Sequence, residues 1–363
     1  MLVNTVPITP DKLQGCLEIL YSLKLPTFLH GSPGIGKSTI IREFARSQGM
    51  ELIVLMLSQI EATDLRGIPY PDKETRTVSW FTPEFLPRQN QPGIVFLDEL
   101  SGAEPRLQVA AYQLILDRRV GEYVLPPDWW VVGAGNNAED GAIVYEMGSA
   151  LADRLVHFKV VPDAKAWIKW ALEKGIESSV ITFIQVKPDY LDATGTGFAH
   201  PDHMLKPTPR SWERVSQVLK TNPAKQTLDY LISGTVGEAT CAEFFHVLEE
   251  LRDCPSVEAL LQADRVQLLE LMPRTIPGLY GLTYSLIAYC QNLDDLRNAA
   301  RVLNALTLLQ DELPRAEIQA LAFELLLEKA DKFKLLFSFG KTPEYQAYRE
   351  KAKQIANLLN PAH

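Results

Sequence analysis

The stretch His30-Gly31-Ser32-Pro33-Gly34-Ile35-Gly36-Lys37-Ser38-Thr39 decides how the chain is read. It fits G-x-x-x-x-G-K-[ST], the spacing of a phosphate-binding loop. The reason for that spacing is mechanical. Gly31, Gly34 and Gly36 let the backbone fold tightly, so that the loop's N–H groups turn inward toward phosphate oxygens. Lys37 can then reach the β- and γ-phosphates, and the Ser38 hydroxyl can ligate Mg2+. The flanks agree. Pro26-Thr27-Phe28-Leu29-His30 reads as a short buried strand, and Thr39 to Ser47 as a helix whose N-terminus favours an anion. A glycine-rich turn that binds nothing would not need this strand–loop–helix context.

Further strands follow at Leu52 to Leu57, Gly93 to Leu97, Trp129 to Gly133 and Val156 to Val160. They read as apolar runs rather than alternating patterns, as expected for strands covered on both faces of a parallel sheet. With a helix from Asp11 to Leu23 and helical stretches between strands, they predict an α/β domain over residues 1–161. From Asp163 the texture changes to amphipathic helices at Ala164 to Lys174, Ser179 to Gln185 and Pro209 to Leu219. A Pro-, Gly- and His-rich loop separates the second and third. Beyond Thr221 the chain reads as almost wholly helical, divided at Pro255, Pro273, Pro277, Pro314 and Pro343. The expected organisation is a sheet domain over 1–161, a helical segment over 162–221 and an all-α extension over 222–363.

Composition narrows the class. The 363 residues carry 46% hydrophobic and 22% charged residues, ordinary for a globular chain with two or three domains. A net charge of -9 and a pI near 5.3 argue against a general binder of nucleic acid or anionic membranes. Cys16, Cys241, Cys254 and Cys290 are far apart, match no metal spacing and fit a reducing compartment. Met1 to Thr5 lacks the basic and apolar regions of a signal peptide, and no run approaches a membrane span. A cytoplasmic location is the expectation.

Two strand ends add chemistry. Gly93-Ile94-Val95-Phe96-Leu97-Asp98-Glu99 is a buried strand ending in two acids. Beside the phosphate loop, Asp98 can hold Mg2+ through its water shell, and Glu99 is placed to polarise an attacking water. Trp129 to Gly135 leads into Asn136-Asn137. An amide there can hold water or a γ-phosphate through neutral hydrogen bonds, although one of the pair serves equally well as a turn residue. Thr208 and Pro209 are a good N-cap and first helical residue, which puts Arg210 in a first turn. A cation there opposes the helix dipole by about 0.3–1 kcal/mol, and facing a phosphate would explain it.

Taken together, these residues resemble an AAA+ ATPase, and more narrowly the MoxR group. The matching positions are the phosphate loop, Asp98-Glu99, Asn136, Leu151-Ala152-Asp153-Arg154-Leu155 and Pro207-Thr208-Pro209-Arg210-Ser211. The resemblance covers residues 25–220 and thins afterwards. It implies a P-loop sheet domain with a helical lid, subunits in a ring, usually a hexamer, and ATP with Mg2+ at each subunit boundary. Lys37 and Ser38 match the Walker A pair, and Asp98 and Glu99 the Walker B pair. Asn136 matches the polar sensor, Arg154 the arginine finger that acts on the neighbouring subunit's ATP, and Arg210 the lid's second sensor. The resemblance further implies remodelling or activation of a protein substrate, with a von Willebrand A-domain protein as partner.

The chain also departs from the MoxR pattern. Gly135-Asn136-Asn137-Ala138 replaces the family's Gln-Asn-Pro, which leaves open which Asn acts. Ser101-Gly102 replaces Asn-Arg, so any role of that arginine is missing or falls elsewhere, with Arg106 a candidate. Glu61 to Pro69, leading to a turn at Asp72 to Thr75, resembles the family's helix-2 insert. Arg118 to Leu125 resembles the hairpin before the sensor strand. His200-Pro201-Asp202-His203 is read as plain loop rather than a metal site, because no further ligands cluster there. Tyr280, Tyr284 and Tyr289 fit helical core spacing. Two rivals remain. A clamp-loader-like or helicase-loader-like factor would need a basic stripe that the sequence lacks. A small-molecule P-loop kinase would need no arginine acting between subunits.

Overall fold

In the computed structural model, residues 6–74, 76–136, 145, 147–148, 152–192, 205–309 and 311–359 are described, with side chains described as far as residue 354. Two compact units are formed. The first comprises Met1–Ala166, Asp192–Pro201 and Thr208–Arg210; the second comprises Trp167–Leu191, Asp202–Pro207 and Ser211–His363.

The first unit is built on a six-stranded parallel sheet. Its strands are β1 (Pro7–Ile8), β2 (Thr27–His30), β3 (Glu51–Met56), β6 (Gly93–Asp98), β9 (Trp129–Gly135) and β10 (Val156–Val160). Their spatial order is β1-β10-β2-β9-β6-β3. The expected α/β fold is present, with one more strand than the sequence suggested. β1 has only two residues beside a proline, too few for a readable apolar run.

Alternation along the central strands distributes side chains to two cores. Phe28, Val95, Leu97, Trp129 and Val131 face one of them. It is filled by Leu107, Ala110, Ala111 and Leu114 of α4 (Pro105–Leu116). Leu29, Ile94, Phe96, Trp130, Val132 and Ala134 face the other. That one is filled by Leu13 and Leu17 of α1 (Pro10–Leu23) and by Ile41 and Phe44 of α2 (Lys37–Ser47). Each large apolar side chain so enclosed contributes about 1.5–3 kcal/mol. The two adjacent tryptophans reach opposite faces, and each keeps its indole N–H bonded. Trp129 Nε1 donates to Gln89 O at 2.9 Å, and Trp130 Nε1 to Leu25 O at 2.7 Å. β10 is only half-buried, which explains how His157 and Lys159 sit in it.

Two hairpins leave this scaffold. After α3 (Ala62–Arg66), β4 (Ile68–Asp72) pairs antiparallel with β5 (Thr77–Phe81). β7 (Arg119–Val120) pairs antiparallel with β8 (Tyr123–Val124). Both lie where the sequence places turns.

The second unit is helical. Phe183, on the helix Ser178–Val186, packs within 5.0 Å of Trp212 and 5.3 Å of Phe244, ring centroid to centroid. Tyr284, fully buried on the helix Ile276–Tyr289, donates its hydroxyl to Gln185 Oε1 at 2.7 Å. Its spacing partners differ. Tyr280 is half-buried and Tyr289 is exposed, because the helix ends there. Of the tail's prolines, Pro277 lies in a first turn and Pro343 opens the helix Pro343–Leu359, while Pro273 follows the end of the helix Arg265–Leu271. Gly237, with φ 88°, adds a break the prolines do not mark. Among the described residues, no helix is long and apolar enough to cross a membrane.

Candidate functional site

β2, β9 and β6 run parallel and side by side, so their carboxyl ends open at one edge of the sheet. Ligands of open α/β sheets bind at such edges. β2 delivers the chain into the loop Gly31–Gly36, and α2 begins at Lys37. Gly34 and Gly36 adopt φ 85° and 98°, which a side chain would resist. At Gly34 a Cβ would also lie 2.8 Å from Thr208 Oγ1. Gly36 has no side chain to cap α2, so the first N–H groups of the helix point into the loop, the usual arrangement for holding an anion.

Lys37 is buried, and its ammonium bonds neutral oxygens. It donates to Gly31 O at 2.6 Å, Ser32 O at 3.0 Å and Asn136 Oδ1 at 3.0 Å. Lysine only donates, so Asn136 presents its carbonyl oxygen here. The positive charge is thus held at the mouth of an N–H-lined loop. Asn136 is fixed in turn by Ser101, whose Oγ accepts from Asn136 N at 3.0 Å. Gly135 makes that approach possible, since a Cβ there would come 2.5 Å from Ser101 Oγ and 2.8 Å from Phe28 Cζ.

From β6, Asp98 Oδ2 accepts from Ser38 Oγ at 2.5 Å, and Asp98 Oδ1 accepts from Glu99 N at 2.9 Å. Ser38 and Asp98 therefore present hard oxygens to one point. That donor set fits Mg2+, which takes one or two protein oxygens and completes its shell with water and phosphate. Among the described residues, no group of three His, Cys, Asp or Glu side chains could hold a metal alone. Glu99 turns into the left-handed region at φ 57°. Such a backbone costs on the order of 1 kcal/mol in a non-glycine residue, and strain of this kind collects at working sites. Its Oε2 accepts a hydrogen bond from Ser58 Oγ, which aims the carboxylate.

Two arginines stand apart from this cluster. Arg210 is exposed, and its backbone N donates to Gly34 O at 3.3 Å, which ties the residue to the loop. Arg154 is exposed in a turn preceding β10. That turn starts at Ala152, whose carbonyl accepts from Leu155 N at 3.3 Å and from His157 Nε2 at 2.9 Å. His157 Nδ1 lies 2.8 Å from His30 Nε2, at the end of β2.

Residues 26–155 match the family model of the AAA domain, dynein-related subfamily. Over that stretch the chain is similar to an AAA domain. The chain aligns with NtrX from Brucella abortus, in complex with ADP, at 13% identity over 90% of this chain and 69% of that one, TM-score 0.40. A mutant RuvB from Thermotoga maritima aligns at 14% identity over 85% of each chain, TM-score 0.34. At such scores neither likeness bears on what this chain binds.

The residues singled out from the sequence divide in two. Lys37, Ser38, Asp98, Glu99 and Asn136 converge at the ends of β2, β9 and β6. Arg154 lies outside that convergence, and Arg106 is exposed on α4. Asn137, Leu151 and His200 to His203 lie outside the described residues. Ser58, Ser101 and the His30–His157 pair escaped sequence reasoning. In each case the polar partner is brought near by the fold rather than by spacing in sequence.

His30 links the stability of the first unit to pH. Burial, His157 and Lys37 lower its pKa from the ordinary 6.5 to about 3. Between those values the unfolded chain binds a proton at His30 that the folded chain does not, so stability falls as the pH drops below 6.5. At pH 5 this group alone costs about 2 kcal/mol relative to neutral pH. His30→Gln removes that contribution. Denaturant unfolding between neutral pH and pH 5 should show a flatter pH dependence in the variant, by about that amount. Equal pH dependence in the two proteins would contradict the account.

Proposed function

We propose that the chain is a MoxR-like AAA+ ATPase that assembles into a ring and uses hydrolysis of Mg2+-bound ATP to remodel or activate partner proteins. The observation that carries this reading is the meeting of Ser38 with Asp98, next to Glu99 and to Lys37 with Asn136. The match of residues 26–155 to the AAA domain supports ATP as the nucleotide. In this reading Lys37 and the loop N–H groups hold the phosphates, and Ser38 and Asp98 hold the metal. When bound, Mg2+ would neutralise charge on the phosphate oxygens. Glu99 draws a proton from the attacking water and directs it at the γ-phosphorus, while Asn136 fixes the geometry. Arg154 serves the neighbouring subunit's nucleotide, and Arg210 contacts nucleotide from its own chain. In the proposed division, residues 162–221 form a lid. Residues 222–363 dock partners or stabilise the ring, a von Willebrand A-domain protein being the partner class.

The test is phosphate release by the purified chain with Mg2+ and ATP, with and without single- or double-stranded DNA. Mg2+-dependent turnover that DNA leaves unchanged is expected, because a net charge of -9 disfavours general binding of nucleic-acid phosphates. A several-fold, salt-sensitive stimulation by DNA would favour a nucleic-acid factor instead. Sedimentation of Glu99→Gln with ATP should show an assembly several subunits in size, and a monomer at all concentrations would rule out the ring.

A further inference from the structure

We propose that His157, oriented by His30, is a positioning residue that holds the turn presenting Arg154, so that the end of the P-loop strand and the arginine serving the neighbouring subunit form one hydrogen-bonded unit. The proposal rests on the reading of Arg154 given above. The chain of contacts begins at the last residue of β2. His30 stands beside Lys159 of β10 on one side and Gly135 of β9 on the other. Gly31, next in sequence, gives its carbonyl to Lys37. Gly135 precedes Asn136, which also receives Lys37. His30 is therefore fixed from both neighbouring strands.

The protons on the two rings follow from their partners. A carbonyl can only accept, so His157 Nε2 carries the hydrogen that reaches Ala152 O. In a neutral His157 ring Nδ1 is then bare, and it accepts from His30 Nε2–H. One ring orients the other, and the second ring fixes a carbonyl. Burial supports this by holding His30 neutral.

That carbonyl opens a four-residue turn. Ala152 O also receives Leu155 N, which makes Asp153 and Arg154 the two central residues. Leu155 anchors the far end in the core that contains Val95 and Trp129. The near end has the His157 bond. Without that bond the near end keeps only the backbone bond from Ala152 N to Gly148 O, the Ala152 carbonyl loses its side-chain partner, and Arg154 gains freedom. A misplacement of about 1 Å in a group that must meet a transition state can cost on the order of 10²-fold in rate.

The test uses the full chain and ATP turnover. His157→Leu should lower kcat about 10- to 100-fold while KM for ATP and fluorescent-nucleotide affinity change less than about twofold. His157→Gln, which keeps one donor and one acceptor, should recover most of the rate. Mixing separates positioning from a general structural role. A ring of His157→Leu and Glu99→Gln subunits contains boundaries where an intact Glu99 meets a well-held Arg154, so activity should rise above that of either parent. If His157 acted on its own subunit's phosphate loop, the mixture would show no gain over its parents and the proposal would fail. Unaltered kcat in His157→Leu would overturn it as well. The control mixes Arg154→Ala with Glu99→Gln under conditions where subunit exchange is shown. Recovery there without recovery for His157→Leu defeats this inference alone. No recovery in the control defeats the reading of Arg154 and the inference with it.

Discussion

Arg154→Ala is expected to bind ATP as tightly as the parent and to hydrolyse it about 10³–10⁵-fold more slowly, the range seen when an arginine finger is lost. The asymmetry has a physical basis. In the proposed site, ground-state binding rests on the loop N–H groups and on Lys37 rather than on Arg154. In the proposed role the arginine acts only when charge builds on the phosphoryl oxygens during transfer, so its loss would fall on kcat. Its exposure in the turn before β10 suits a group that serves another chain. Paired measurements of nucleotide affinity and kcat check the prediction. A loss of affinity matching the loss of rate would mean that Arg154 supports its own fold or site instead.

Glu99→Gln should retain ATP binding and lose turnover by about 10²–10⁴-fold, the usual contribution of a positioned general base. The amide keeps the shape of the side chain and can still meet Ser58, but it cannot take a proton from water. Because the left-handed backbone at Glu99 is unchanged, the fold should be unaffected. Single-turnover assays with prebound ATP isolate the chemical step. Hydrolysis at the parent rate would remove Glu99 from the role.

How much of this was legible in the sequence depended on how far each feature is fixed by local backbone. Gly34, Gly36 and Lys37 were readable because positive φ and a reaching cation need those residue types at that spacing. The central strands were readable because burial on both faces leaves Gly93 to Leu97 and Trp129 to Val132 almost wholly apolar. β1 was not, since two residues carry no period. The choice between Asn136 and Asn137 could not be made from sequence either. In the structure it is Asn136 that meets Lys37. Ser58, Ser101 and His157 were invisible for another reason. Their partners Glu99, Asn136 and His30 lie 35 to 127 residues away in sequence, and only the fold brings each pair together.

The central claim is that the Gly31–Thr39 loop holds the phosphates of ATP through Lys37. Titration of a fluorescent ATP analogue, with and without Mg2+, into the parent chain and Lys37→Ala tests it most directly. The lysine is buried and bonded at the mouth of the loop, so its charge is already in place for the β- and γ-phosphates. Saturable binding to the parent and none measurable to Lys37→Ala, with both proteins equally folded, is the predicted result. Equal affinity in the two proteins would contradict it.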